Sequence, residues 1–87
     1  MLPRTYINPP DHWVTDPPLP YSQAVRCGEM LFTTGQMALD NTLKVIAPGD
    51  LNGQIDAAIK DLIGVLDAAG MSPSDLVQMR AFYVDEP

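Results

Sequence analysis

The clearest signal along the chain is a pair of strand-forming runs, Tyr21–Cys27 and Met30–Gln36, separated by Gly28-Glu29. Two such runs with a two-residue Gly-X break predict a β-hairpin. Glycine suits the first central position of a type II′ turn, which needs φ > 0 and matches the twist of the flanking strands. Residues 37–50 read as a connection, with a turn at Asp40-Asn41 and a short extended piece over Leu43–Ile46. From Leu51 to Ala69 the apolar residues Leu51, Ile55, Ile59, Leu62, Ile63, Leu66 and Ala69 recur at three- and four-residue spacing, while Asp56, Lys60, Asp61 and Asp67 take the other side. That periodicity predicts an amphipathic helix laid on a sheet. Asp50 is positioned as its N-cap and Gly70 as the left-handed residue after its end, with Met71 placed to meet Leu66 in a Schellman contact. Ser72-Pro73-Ser74-Asp75 then predicts a single helical turn, with serine as cap, proline in the first position and an acid in the first turn. Leu76–Val84 is rich in β-formers, and a strand–helix–strand order implies a right-handed crossover that lays this segment parallel to an earlier strand. Asp85-Glu86-Pro87 has the composition of a helix start, with Asp85 as its cap.

The first 20 residues differ from the rest. Six of the nine prolines fall there, at Pro3, Pro9, Pro10, Pro17, Pro18 and Pro20. Proline fixes φ, removes an amide donor and pushes the preceding residue to extended conformations, so residues 1–20 are expected to form an irregular or polyproline-like arm. Tyr6, Ile7, Trp13 and Val14 are its candidate anchors. With them the arm lies along the body or a neighbouring subunit; without them it is a loose tail. The expected organisation is an arm over 1–20 and a domain over 21–87. Three strands and one helix leave a sheet face and an edge uncovered, which implies a fragment or a chain stabilised by association.

Composition narrows the function classes. Eighty-seven residues, 46% hydrophobic and 18% charged, make at most one globular domain. No apolar run approaches the roughly 20 residues of a membrane span, and the N-terminus lacks the order of a signal peptide, so a cytoplasmic setting without membrane contact is expected. Cys27 is the only cysteine and His12 the only histidine, which leaves no internal disulfide and no metal centre to build from them. A formal charge of -6 repels a phosphate backbone and argues against a nucleic-acid partner.

Local motifs for chemistry are absent: there is no GxGxxG, P-loop, HExxH or paired Cys/His spacing. His12, beside Trp13 in the proline-rich arm, reads as a solvated or capping residue in preference to a base. Cys27 reads as a small half-buried apolar residue, with neighbouring Arg26 the only feature that could favour a thiolate. Asp56 and Lys60 form an ordinary i,i+4 helix pair.

The combination of segments is more specific than any part. Pro20-Tyr-Ser-Gln-Ala-Val-Arg-Cys-Gly28, Leu31-Phe-Thr-Thr-Gly-Gln36, a long helix ending Leu66-Asp-Ala-Ala-Gly70, and Ser74-Asp-Leu-Val77 leading into Ala81-Phe-Tyr-Val-Asp85 resemble the Rid (YjgF-type, reactive intermediate deaminase) family in order and near-family spacing. The resemblance implies a chorismate-mutase-like α+β fold, a homotrimer with ligand clefts between subunits, and hydrolysis of reactive imino and enamino acids to 2-keto acids and ammonia without a cofactor. By position, Tyr21 matches the family tyrosine that lines the cleft. Thr34-Gly35 matches the family's Ser-Gly, and threonine keeps the hydroxyl. A strand hydroxyl beside a backbone group can bond a carboxylate or an attacking water.

The departure from the family is equally informative. The arginine that clamps the substrate carboxylate and the glutamate associated with the attacking water follow the family's second helix, and no residue here matches them. Arg80 is the last arginine, in a predicted strand, and does not match the clamp. The chain therefore resembles the first two-thirds of a Rid domain behind an arm and is expected to be inactive as a deaminase, with no catalytic residue assigned. The alternative is a non-catalytic module that binds a small carboxylate or acts in an assembly. A ribonuclease role is disfavoured by the charge, and a holdase role would need the uncovered sheet face.

Overall fold

The structure is a computed structural model and describes residues 3–10, 12–13 and 19–83. Its elements are β1 (Arg4–Ile7), β2 (Ala24–Cys27), β3 (Met30–Thr33), the helix α1 (Leu51–Ala68) and a 3-10 turn over Pro73–Asp75. The strands form one sheet in the order β1-β2-β3, antiparallel throughout, with Tyr6 opposite Val25 and Val25 opposite Phe32.

The hairpin forms with the expected turn. Gly28 takes φ 63°, and Glu29 stays outside the left-handed region, which distinguishes type II′ from type I′. The strands proper begin at Ala24 and end at Thr33, shorter than the runs in the sequence. The connection folds back on itself through a bridge between Leu39 and Val45. Its turn is held by Asp40, whose Oδ1 accepts from the backbone N–H groups of Thr42 and Lys44, each at 2.9 Å, and from the Thr42 hydroxyl at 2.8 Å. Those donors, the Lys44 amide first and the Thr42 hydroxyl second, hold the Asp40 carboxyl below its ordinary value.

Both ends of α1 are capped as expected. Asp50 Oδ1 accepts from Gly53 N at 3.1 Å. At the other end Gly70 has φ 74°, Met71 N donates to Leu66 O at 2.9 Å and Gly70 N to Asp67 O at 3.0 Å, the two bonds of a Schellman motif. In the short turn that follows, Ser72 N donates to Asp75 Oδ2 at 2.9 Å.

Three expectations are corrected. The arm is not irregular throughout: Arg4–Ile7, the proline-free stretch between Pro3 and Pro9, adds to the sheet as an edge strand, a position where flanking prolines are tolerated. Trp13 is an anchor at 4% exposure, with Nε1 donating to Leu39 O at 3.3 Å; Ile7 is half-buried, Tyr6 is exposed, and Val14 lies outside the described residues. The second correction concerns Leu76–Val84, which contributes no strand over its described part, so among the described residues there is no parallel crossover. Val77 and Phe82 are almost fully exposed. β-formers make a strand only where a ladder partner and a half-buried face exist, and residues 76–83 have neither. Val84 and the expected cap Asp85 lie outside the described residues.

The third correction is the helix face. Val65, Leu66 and Ala69 are buried, but Ile55, Ile59 and Ile63 are each more than a third exposed, whereas Ala57, Ala58, Asp61 and Leu62 are half-buried. At 100° per residue the covered arc is centred just over a quadrant from the isoleucine stripe. Asp61, expected on the solvent side, borders the packed side. Among the described residues the core is correspondingly small, comprising Trp13, Ala24, Val65, Leu66 and Ala69 together with one buried polar side chain, Gln23.

Candidate functional site

The arm returns over the start of β2 and is tied there by one side chain. Asn8 Oδ1 accepts from Gln23 N at 3.1 Å, and Asn8 Nδ2 donates to Ser22 Oγ at 3.2 Å. Between arm and strand lies an open cleft of about 780 Å³, bordered by Tyr6, Asn8, His12, Tyr21, Ser22 and Gln23 among others. Its polar groups are two phenols, two amides, a hydroxyl, an indole and one imidazole. Among the described residues, no lysine, arginine, aspartate or glutamate lines it. Such a wall offers hydrogen bonds to a small polar acid without a fixed opposing charge.

Tyr21 lies in this cleft, 47% exposed. Thr34 and Gly35 do not line it. Gly35 is exposed, with open space around its α-carbon. Thr34 faces inward to Gln23: its N–H donates to Gln23 O at 2.9 Å, and its hydroxyl lies 3.2 Å from Gln23 O and 3.3 Å from Gln23 Oε1. One proton serves one acceptor at a time. Gln23 borders the cleft with Tyr21 and bonds Thr34 from the interior.

Gln23, 2% exposed, is the hub of a polar chain. Gln36 Nε2 donates to Gln23 Oε1 at 3.1 Å and lies 3.3 Å from Thr34 Oγ1. Gln36 Oε1 lies 2.8 Å from His12 Nε2. With the Gln36 amide nitrogen turned to two acceptors, its oxygen faces the imidazole, so Nε2 carries the histidine proton. His12 also stacks beside Trp13, ring centroids 4.5 Å apart. From the sequence His12 reads as a solvated or capping residue, and Gln23 and Gln36 have no assigned role. A signal for the glutamines was available: a two-residue turn at 28–29 puts Gln23 opposite Thr34, and a buried amide there needs partners from the facing strand.

On the other side of His12 and Trp13 is a smaller cavity of about 180 Å³, bordered also by Asp40, Lys60 and Asp61. Burial holds the Asp61 carboxyl above its ordinary value, against the opposing pull of the His12 and Lys60 charges. Asp61 Oδ2 is buried without a hydrogen-bond partner. Cys27 is half-buried, and Arg26, its neighbour along β2, projects to the opposite face of the sheet by strand alternation.

An antiparallel sheet followed by a capped helix, with a polar cleft at the sheet's end, defines an α+β protein. The sequence profile described as "Endoribonuclease L-PSP" matches residues 14–87, and the chain belongs to that family, the Rid family of the resemblance above. It is 33% identical over 66 residues to a RutC family protein of Pyrococcus horikoshii, covering 76% of this chain and 52% of the relative. It is also 33% identical over 66 residues to the Escherichia coli protein named "Putative reactive intermediate deaminase TdcF", covering 76% and 50%. Among solved structures, one titled as a "putative endoribonuclease" of Thermotoga maritima superposes with a TM-score of 0.73 at 28% identity, covering 84% of this chain and 56% of that one. A Rid family structure from Yersinia pestis shares the fold, with a TM-score of 0.71 at 24% identity over 82% and 55%. The chain spans about half the length of the curated relatives it matches. Among the described residues no helix is long and apolar enough to cross a membrane.

Proposed function

We propose that this chain carries the substrate-receiving side of a Rid-type hydrolysis, in which a 2-imino acid or its enamine tautomer and water give a 2-keto acid and ammonia. The observation that carries the reading is Tyr21, the position matched to the family's cleft tyrosine, standing in an open cleft walled by Asn8, Ser22 and Gln23. Water adds to the imine carbon, and the resulting carbinolamine expels ammonia. Asn8, Tyr21 and Ser22 have the donors to hold the acid while this occurs, whereas no residue here matches the arginine clamp or the water-associated glutamate. These 87 residues therefore bind the acid without accelerating its hydrolysis. Thr34 acts from behind the wall, through its bonds to Gln23.

A second reading, a module that binds a small carboxylate without catalysis, is favoured by the Thr34 hydroxyl, which is engaged with Gln23. Association in a homotrimer is part of the first reading. It is supported by the exposed sheet face of Tyr6, Phe32 and Met30, which share one side by register.

The test is a backbone amide NMR titration of the chain with pyruvate, a product-type keto acid. In parallel, ammonia release is measured from a 2-imino acid made in situ by an amino-acid oxidase. We expect shifts centred on Tyr21–Gln23 that Tyr21→Phe weakens, and ammonia no faster than the buffer blank. Absence of shifts at Tyr21–Gln23 in millimolar pyruvate sinks both readings. Ammonia above the blank removes the second and the claim of inactivity.

A further inference from the structure

We infer that His12, carried into the cleft by the N-terminal arm, is the cationic anchor for the carboxylate bound there. The inference rests on the carboxylate-binding cleft proposed above and adds the residue that supplies its charge. A chain of net charge -6 disfavours an anion at long range, so a carboxylate needs a local positive group. Among the described residues lining the cleft, His12 is the one that can carry such a charge. The arm that brings it is fixed at three points: β1 in the sheet, Asn8 on Gln23 and Ser22, and Trp13 buried with Nε1 on Leu39 O.

The imidazole is preorganised for this role. Its Nε2–H is committed to Gln36 Oε1 at 2.8 Å, and the ring rests beside Trp13. With that nitrogen already protonated, the second proton enters at Nδ1 and converts a neutral ring into an imidazolium that keeps its bond to Gln36. A charged donor held in one orientation binds a carboxylate at lower entropic cost than a free side chain. The groups that face His12 are the Tyr6 and Tyr21 phenols across the cleft, and Asp40, Lys60 and Asp61 around the smaller cavity behind it. Asp61 is the built-in competitor, because its carboxylate borders the cavity behind the ring. Asp11, next in the chain, lies outside the described residues.

The single histidine makes the test unambiguous. The imidazole ¹⁵N and ¹³C signals of the full 87-residue chain are followed against pH, with and without saturating pyruvate, at matched ionic strength with chloride as the control. Linkage requires that a ligand preferring the imidazolium raise its titration midpoint and bind more weakly at high pH by the same factor. We expect the midpoint to rise by about one pH unit, equal to a roughly tenfold loss of pyruvate affinity across the transition. The rise should persist in D61N and D11N. H12Q, which keeps a donor for Gln36 but no charge, should bind about tenfold more weakly at low pH, independently of pH, with Trp13 fluorescence unchanged. Pyruvate binding at Tyr21–Gln23 with an unmoved His12 midpoint overturns this inference and leaves the cleft reading standing. Disappearance of the rise in D61N or D11N assigns the effect to that carboxylate and also overturns it. No pyruvate binding at all fails the cleft reading, and the inference with it.

Discussion

Replacing Gln23 by leucine removes the centre of the polar chain while keeping a side chain of similar size in a site that is 2% exposed. The structure sets the magnitude. Gln23 Oε1 is the acceptor for Gln36 Nε2 at 3.1 Å and one of two for the Thr34 hydroxyl at 3.3 Å, each such bond contributing about 1 kcal/mol net. Gln36 keeps its approach to Thr34, so it is weakened and not orphaned, and no further penalty for a buried unpaired group is added. The expected cost is about 2 kcal/mol, against about 1 kcal/mol for Thr34→Val, which removes a single hydroxyl from the same chain. Urea denaturation followed by the fluorescence of Trp13, the only tryptophan, measures both. At a slope of roughly 1 kcal/mol per molar for a chain of this size, the midpoints should fall by about 2 M and about 1 M. A Gln23→Leu midpoint within the ~0.5 kcal/mol of an ordinary surface substitution would refute the reasoning. So would a cost no larger than that of Thr34→Val, since Gln23 would then not be the hub.

Two further substitutions test other parts of the fold. Gly70→Ala should destabilise by about 1 kcal/mol, because Gly70 has φ 74° and a Cβ there meets nothing within 4 Å, so the cost is backbone strain alone; thermal melting by circular dichroism reads it, and no change would mean that the Schellman end does not form. Asp61→Asn should raise the melting midpoint at pH 7. The Asp61 carboxyl is held above its ordinary 3.8 by desolvation, so its contribution to stability is fully present below that value and is lost as pH rises through the folded value. The advantage of the asparagine should therefore shrink on acidification and vanish below pH 3.8, and a gap that instead widens at low pH would reverse the assigned cause.

What the sequence disclosed, and what it withheld, follows from the range of the interactions involved. The hairpin and both caps of α1 are local: Gly28 at its positive φ, Asp50 on Gly53, and Gly70 with Met71 on Leu66 act over five residues or fewer, so the chain announces them directly. β1 was hidden because its four residues lie between prolines that dominate any reading of the arm, and its ladder partner is some twenty residues away in β2. Leu76–Tyr83 misled in the opposite sense, since β-forming side chains state a preference that only a partner strand can satisfy.

The helix shows the same limit in its packing. Periodicity locates an apolar stripe through Ile55, Ile59 and Ile63, but which arc is covered depends on what arrives against it, and here Trp13 and the 39–46 turn border the side of Ala57 and Asp61. The site follows this rule too. Tyr21 could be placed by its neighbours in the chain, whereas His12 and Gln36 acquire their meaning from a contact between residues 24 apart. An arm that reads as dispensable by composition thus supplies a strand, the buried tryptophan and the imidazole of the cleft. Removing it should change the site as much as the fold, because all three are carried on the same short stretch of chain.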